Sequence, residues 1–362
     1  MKLLFIVRST LFTAKGGDTI QVEETAIQLR KMGVEVDIKK ANERMSYTSY
    51  DLLHFFNIIR PADILVHIKR SGKPFVVSTI LVDYSAYDKR ERPGMAGKLS
   101  RLLPAGSIEY FKTLYRWLLG GDSLVSTSYL WKGHRRSIRE ILQKTRSVFV
   151  QAAEEYNELV SRYNVRPPFS IIQNGVNTAL FKEGSSGNKE NRLVICVARI
   201  EGIKNQYNLI KALSNTKYKL LLIGDAAPNQ KNYYERCRKL AGKNVSFINH
   251  LPQHELVSYY AKAKVHVLPS WFEVCGLSSL EAAAMGCRVV ISDRGYTRSY
   301  FHDTGFYCDP AQPDTILEAV EEAMASGMND ELQHYVTQNY TWQKAAEKIF
   351  SVYKKYTEQC SH

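Results

Sequence analysis

Two glutamates separated by seven residues, Glu273 and Glu281, flank a glycine-containing turn in the stretch SWFEVCGLSSLEAAAMGCRVVISD (270–293). The apolar run VHVLPS before it reads as a strand ending at Pro269. Trp271 to Leu277 is then a strand-to-helix loop, with Ser278 opening the next helix. Gly276 lets the backbone approach a ligand closely, and the free amides of a helix start suit an anionic or hydroxyl-rich one. A plainer role fits the same residues. Ser278-x-x-Glu281 has capping-box spacing, in which Glu281 would bond only its own helix start, and Glu273 would be a solvated loop charge. Spacing alone leaves both readings open.

A second pattern is ARIEGIKN, where Arg199 follows a buried strand and Lys204 opens the following helix. Two cations beside a helix dipole suit a diphosphate, though two exposed basic residues of a basic chain would look the same. Gly224 and Asp225 stand at another strand end. Gly16 and Gly17 lie between a strand and a helix opened by Asp18 or Thr19, without the G-x-G-x-x-G fingerprint, so no nicotinamide or flavin cofactor is expected. A P-loop, H-E-x-x-H, Gly-x-Ser-x-Gly and Asp-x-Asp are also missing from the sequence, and no metal ion is expected.

These residues need elements to position them. Apolar runs predict strands at Lys2–Val7, 34–38, 51–56, 74–82, 147–150 and 169–176, and a helix runs from Thr19 to Met32. After the Gly/Ser/Asn-rich stretch NTALFKEGSSGNKENR the alternation restarts, with strands at 192–198, 218–225, 244–250, 265–270 and 288–293 and helical stretches between. The organisation expected is α/β, with an N-terminal Rossmann-like domain at 1–176, a linker at 177–191 and a C-terminal Rossmann-like domain at 192–340. A closing helix at 341–362 is expected to pack back on the N-terminal domain. Two such domains place a ligand cleft at the carboxyl ends of their strands.

Composition agrees with two ordinary cores: 362 residues, 44% hydrophobic and 23% charged. The opening MKLLFIVRST reads as a buried strand rather than a signal segment, and no apolar run is long enough to span a bilayer. Six cysteines without metal-ligand spacing suggest buried, reduced thiols. The net charge of +13 is uneven, because Lys89 to Arg146 holds thirteen Lys or Arg against four Asp or Glu. Something acidic is expected to meet that surface.

EVCGLSSLEAAAMGCRVVISD resembles the signature of retaining glycosyltransferase family 4, the glycosyl transferases group 1. There a Glu, a Phe-Gly-Leu-like step, a second Glu and an A-x-G-x-P-V run follow in this order. Here Cys275 replaces the usual aromatic and Arg288 the usual proline. QNGVNTALF is similar to the family's Asn-Gly-Val-Asp element and ARIEGIKN to its Arg and Lys segment. GGDTIQVEETAIQLRKMGVEV is similar to its first glycine loop and helix, and TWQKAAEKIFSVY to its closing helix. The segment from about 85 to 145 has no counterpart.

The resemblance implies a GT-B fold, two doubly wound domains facing a central cleft. It also implies transfer of a sugar from a UDP- or GDP-sugar to a saccharide with retained configuration. Carried over, Glu281 would hold the ribose hydroxyls, Arg199 and Lys204 would stabilise the departing diphosphate, and Glu273 would face the donor sugar. The amides around Gly276 and Leu277 would contact sugar or phosphate oxygens, with Cys275, Gly224, Gly16 and Gly17 completing the donor-binding set. The departing phosphate oxygen can accept the acceptor's proton, so no separate base and no cofactor is required. The family often has a His at the end of the strand where this chain has Ile80 and Leu81; His54, Asp83 and Tyr84 are the candidates to line the acceptor cleft instead.

In the basic segment, Phe111, Leu114, Tyr115 and Leu118 recur at helical spacing beside Lys112 and Arg116, and Arg135, Arg136 and Arg139 follow. The stripe fits a core-facing helix, or one that meets an anionic bilayer surface. A lipid-diphosphate-linked intermediate of bacterial surface polysaccharide synthesis would suit both the stripe and the arginines. That implies a cytoplasmic protein, peripheral on the inner face of the membrane. Three further readings compete: a GT-B epimerase, a non-catalytic sugar-nucleotide-binding subunit, and nucleic-acid binding, which lacks any reader motif and is not expected.

Overall fold

The computed structural model describes residues 1–90, 110, 127–182, 189–327 and 330–358. It contains two six-stranded parallel sheets. The first has the order β2-β1-β3-β4-β5-β6, from β1 (Lys2–Val7), β2 (Glu35–Lys40), β3 (Leu52–Phe56), β4 (Phe75–Ser78), β5 (Ser147–Val150) and β6 (Phe169–Ile171). The second has the order β12-β11-β10-β7-β8-β9, from β7 (Glu190–Val197), β8 (Lys219–Ile223), β9 (Val245–Ile248), β10 (Ala263–Leu268), β11 (Arg288–Ser292) and β12 (Phe306–Cys308). Two compact units result. The described residues of Met1–Leu81, Lys98–Gln173 and Trp342–His362 form one, and those of Val82–Gly97 and Asn174–Thr341 the other.

The near-continuous apolar strands follow from burial on both faces. In the second sheet Leu193 and Ile195 of β7 join Leu221 and Ile223 of β8 in one cluster, while Val194 and Cys196 join Leu220 and Leu222 in another. Successive side chains point to opposite faces, so each strand serves two layers of helices. Every such side chain taken out of water contributes on the order of 1.5–3 kcal/mol before entropy is counted. Strand β12 has only three residues and no periodicity; it is held as a parallel edge by Val290–Phe306 to Ser292–Cys308 pairing.

Strand β4 stops at Ser78, short of the predicted 82. The reason is Ile80, a β-branched residue held at φ +45°. Both of its neighbours are tied to one buried carboxylate: Glu155 accepts from the Thr79 hydroxyl, from Leu81 N–H at 3.0 Å and from Gln151 N–H at 2.6 Å. Burial pushes the Glu155 carboxyl above the usual range, while those three donors pull it back.

The closing helix, Trp342–Glu358, packs on helix Gly17–Lys31, and its Tyr353 hydroxyl bonds His54 Nδ1 at 2.6 Å. His54 is fully buried in β3 and its Nε2 bonds Ser78 Oγ at 2.8 Å. It is therefore not a cleft residue. A histidine on a strand buried on both faces is enclosed whatever the strand's end presents, and desolvation lowers its pKa to about 3.

The Phe111 to Leu118 stripe and residues 183–188 of the expected linker lie outside the described residues. Residues Asp83 and Tyr84, expected in the first domain, cluster with the second unit. Asp83 accepts the Ser85 N–H at 2.8 Å, and Tyr84 is exposed.

Candidate functional site

In an open parallel sheet, ligands bind where the connections leave neighbouring strands in opposite directions. In the second sheet that point lies between β7 and β10, because β8 and β9 extend to one side of β7 and β10, β11 and β12 to the other. The loop after β7 carries Arg199 and Lys204, and the loop after β10 carries Glu273. The topology thus brings the two sequence patterns together across a gap of about seventy residues.

Three ties join these loops. Trp271 N–H donates to the Ile203 carbonyl at 2.8 Å. Asn205, buried and left-handed at φ +60°, sends its amide to the Pro269 and Pro310 carbonyls at 3.1 and 2.7 Å. The third is an ion pair between Lys204 Nζ and Glu273 Oε1, the same oxygen that accepts from Ser270 Oγ at 2.7 Å. Burial by itself pulls the Lys204 ammonium down, but Glu273 and Glu201 outweigh it and the pKa is raised, so the site keeps its positive charge. Arg199 stands beside it, half exposed and 3.0 Å from Glu201.

Glu281 lies on helix Leu277–Ala284 and is buried. It does not cap that helix, whose N-cap is Gly276 with no side-chain cap bond. Its Oε1 accepts from Gln253 Nε2 at 2.6 Å and its Oε2 from the Tyr260 hydroxyl at 3.0 Å. Desolvation raises its pKa from 4.5 to about 7, against the lowering effect of these two bonds. The folded protein accordingly holds this proton at pH values where the unfolded chain has released it. Stability from this group is therefore lost as pH rises from 4.5 to 7, and the cost is complete above that window.

The glycines divide by need. Gly276 adopts φ +67°, and a Cβ there would press on Ser279 Oγ at 3.2 Å. Gly224 has φ +146°, and a Cβ would overlap the Ala198 carbonyl. Cys275 is buried in the core, with Asn174 Nδ2 3.7 Å from its sulfur. Leu277 is half buried at the helix start.

In the first unit Gly16 is the extended N-cap of helix Gly17–Lys31. Nearby, Arg8 at the end of β1 pairs with Asp18 at 2.6 Å. Sequence reasoning passed over Arg8, as it did Gln253, Tyr260, Ser270 and Gly295. Gly295 is bridged to Glu273 and shapes its loop, a role visible only once β11 is placed beside β10. Among the described residues no cluster of three or more metal-ligating side chains is present, and no helix is long and apolar enough to cross a membrane.

Two parallel α/β units, the second with paired cations and two buried carboxylates at its switch point, define a GT-B fold. The likeness to solved structures agrees. Sucrose-phosphate synthase from Thermosynechococcus elongatus superimposes with a TM-score of 0.74 at 16% identity, over 98% of this chain and 99% of that one. HepE from Anabaena, solved in complex with UDP and glucose, gives 0.67 at 14% identity, over 98% and 100%. Residues 177–354 match the model of the glycosyl transferases group 1. A D-inositol 3-phosphate glycosyltransferase of Corynebacterium diphtheriae is 28% identical over 246 residues, which are 59% of this chain and 57% of that protein. The chain thus spans just over half the length of this relative.

Proposed function

We propose that the protein is a retaining glycosyltransferase that moves a sugar from a nucleoside diphosphate sugar to a saccharide acceptor. The observation that carries this reading is the Lys204–Glu273 pair at the β7/β10 switch point, with Arg199 beside it and Glu281 on the helix that follows Glu273's loop. The match of residues 177–354 to the glycosyl transferases group 1, and the UDP and glucose bound by HepE, support it.

In this reading the diphosphate takes Lys204 away from Glu273, and both Lys204 and Arg199 stabilise the negative charge that grows as the glycosidic bond breaks. Glu273, released from its cation, faces the sugar's developing positive charge. The departing phosphate oxygen accepts the proton of the attacking hydroxyl on the same face, so the configuration is retained without a protein base. The two cations supply the charge that a metal ion would otherwise supply. Glu281 receives the ribose hydroxyls, which favours its ionised form, so binding near neutral pH releases a proton.

A panel of UDP, GDP, ADP and CMP, followed by thermal shift on wild type and Glu281→Gln, tests this. One nucleoside diphosphate is expected to raise the wild-type midpoint and to lose most of that effect in the variant. Without nucleotide, wild type is expected to lose stability relative to Glu281→Gln between about pH 4.5 and about pH 7, since only wild type gives up the buried proton. A midpoint that no nucleotide moves would sink the donor assignment.

The acceptor in this proposal is lipid-diphosphate linked. Trp131 is 89% exposed, and Lys132, Arg135 and Arg136 beside it are exposed as well, a combination that suits an anionic bilayer surface. Binding to anionic vesicles is expected to fall about tenfold or more in Trp131→Ala/Arg135→Ala/Arg136→Ala, taking on the order of 1 kcal/mol per cation. Wild-type protein that stays with the buffer in vesicle flotation contradicts the membrane part and leaves the donor part intact.

A further inference from the structure

Both oxygens of Glu281 are held by one helix. Gln253 opens helix Gln253–Lys262 and Tyr260 stands seven residues on, two turns along the same face. Tyr260 is itself immobilised: it is fully buried, and its ring meets Phe181 edge-on at 5.8 Å between centroids. Its carbonyl also receives Lys189 Nζ at 2.8 Å, which further pins the end of the helix. A carboxylate on a flexible three-bond side chain has thus lost its freedom through two neutral donors rather than through a cation. Each oxygen keeps one lone-pair direction, because one donor occupies only one of two.

We propose that Tyr260 and Gln253 are positioning residues for ribose recognition, which preset the Glu281 carboxyl so that its remaining lone pairs receive the 2′ and 3′ hydroxyls of the donor nucleotide. This rests on the donor reading above and deepens it. A neutral pair of donors is suited to the task. A cation here would compete with the ribose for the carboxylate, whereas an amide and a phenol leave its acceptor capacity toward hydroxyls intact. Preorganisation also spares the nucleotide the entropy of ordering the side chain on arrival.

The test compares two probes by calorimetry, a nucleoside diphosphate that binds wild type (UDP or GDP) and its 2′,3′-dideoxy form, on wild type, Tyr260→Phe and Gln253→Leu. Tyr260→Phe keeps the packed ring and removes only the hydroxyl. Wild type is expected to prefer the ribonucleotide by about tenfold or more, the worth of hydrogen bonds to a charged group. Both variants are expected to shrink that preference to about threefold or less, with dideoxynucleotide affinity unchanged. A merely structural role for the tyrosine would weaken both probes alike. That result overturns the proposal, as does a preference that persists in both variants, and either leaves the donor reading standing. Tighter ribonucleotide binding in Gln253→Leu would show the amide to be a competitor, and would reject its half of the assignment. If no ribonucleotide binds wild type, the donor reading falls and this inference falls with it.

Discussion

Lys204→Met is expected to lower the rate of sugar transfer by about a hundredfold to a thousandfold, the scale for removing one preorganised electrostatic contact to a charged leaving group. The expectation comes from where the ammonium sits. It is three-quarters enclosed, at the switch point, and its raised pKa keeps it charged through the working range. The variant also strands Glu273, whose side chain is only 9% exposed, without its cation, although Ser270 Oγ remains as a donor. Some loss of stability is therefore expected alongside the loss of rate. Release of nucleoside diphosphate in the presence of acceptor measures the first, and urea unfolding the second. Lys204→Arg keeps the charge but not the point geometry and should lie between the two. A Lys204→Met variant that turns over within about threefold of wild type would remove Lys204 from the reaction.

The second large effect is expected at Gly295, which touches no predicted ligand. Its φ is +91°, and a Cβ built there overlaps the Glu273 carbonyl oxygen and lies 2.9 Å from the carbonyl carbon. Tyr296 N–H bonds that same carbonyl at 2.9 Å, and Glu273 N–H bonds the Arg294 carbonyl at 3.2 Å, so the two loops are laced together. Gly295→Ala must push one backbone away from the other and carry Glu273 with it. A cost of roughly 2–4 kcal/mol in unfolding free energy is expected, with a fall in transfer larger than the fall in folded fraction. Gly33→Ala is the control. Gly33 has a similar φ of +81° but nothing within 4 Å of its Cβ, so only the backbone cost of about 1 kcal/mol applies. Equal midpoints for the two variants would mean that the Glu273 loop yields easily.

The strands themselves were readable because parallel sheets buried on both faces write continuous apolar runs, as in Leu3 to Val7 and Leu220 to Ile223. Where a strand departs from that rule, the reading departs with it. Strand β12 is too short to show a period, and β4 ends early because Glu155, some seventy-five residues on, holds the turn around Ile80. The residue type of His54 suits a cleft, but the closing helix supplies Tyr353 to cover it from far along the chain.

For the site, the local pattern around 273–281 and 199–204 was enough to mark a strand-to-helix loop with carboxylates and a loop with cations, because residue type and the Gly276 turn are local properties. Whether Glu281 was a cap or a free carboxylate was not local. That was decided by a helix 21 to 28 residues earlier, whose i and i+7 side chains take both carboxyl oxygens. Likewise the Lys204–Glu273 contact exists only because β10 inserts beside β7 rather than beside β9. The sequence by itself determined which groups are available and on which kind of element they stand. Only the tertiary structure decided which of them meet, because strand order and helix packing are settled by burial summed over the whole unit, and no local stretch of chain carries that sum.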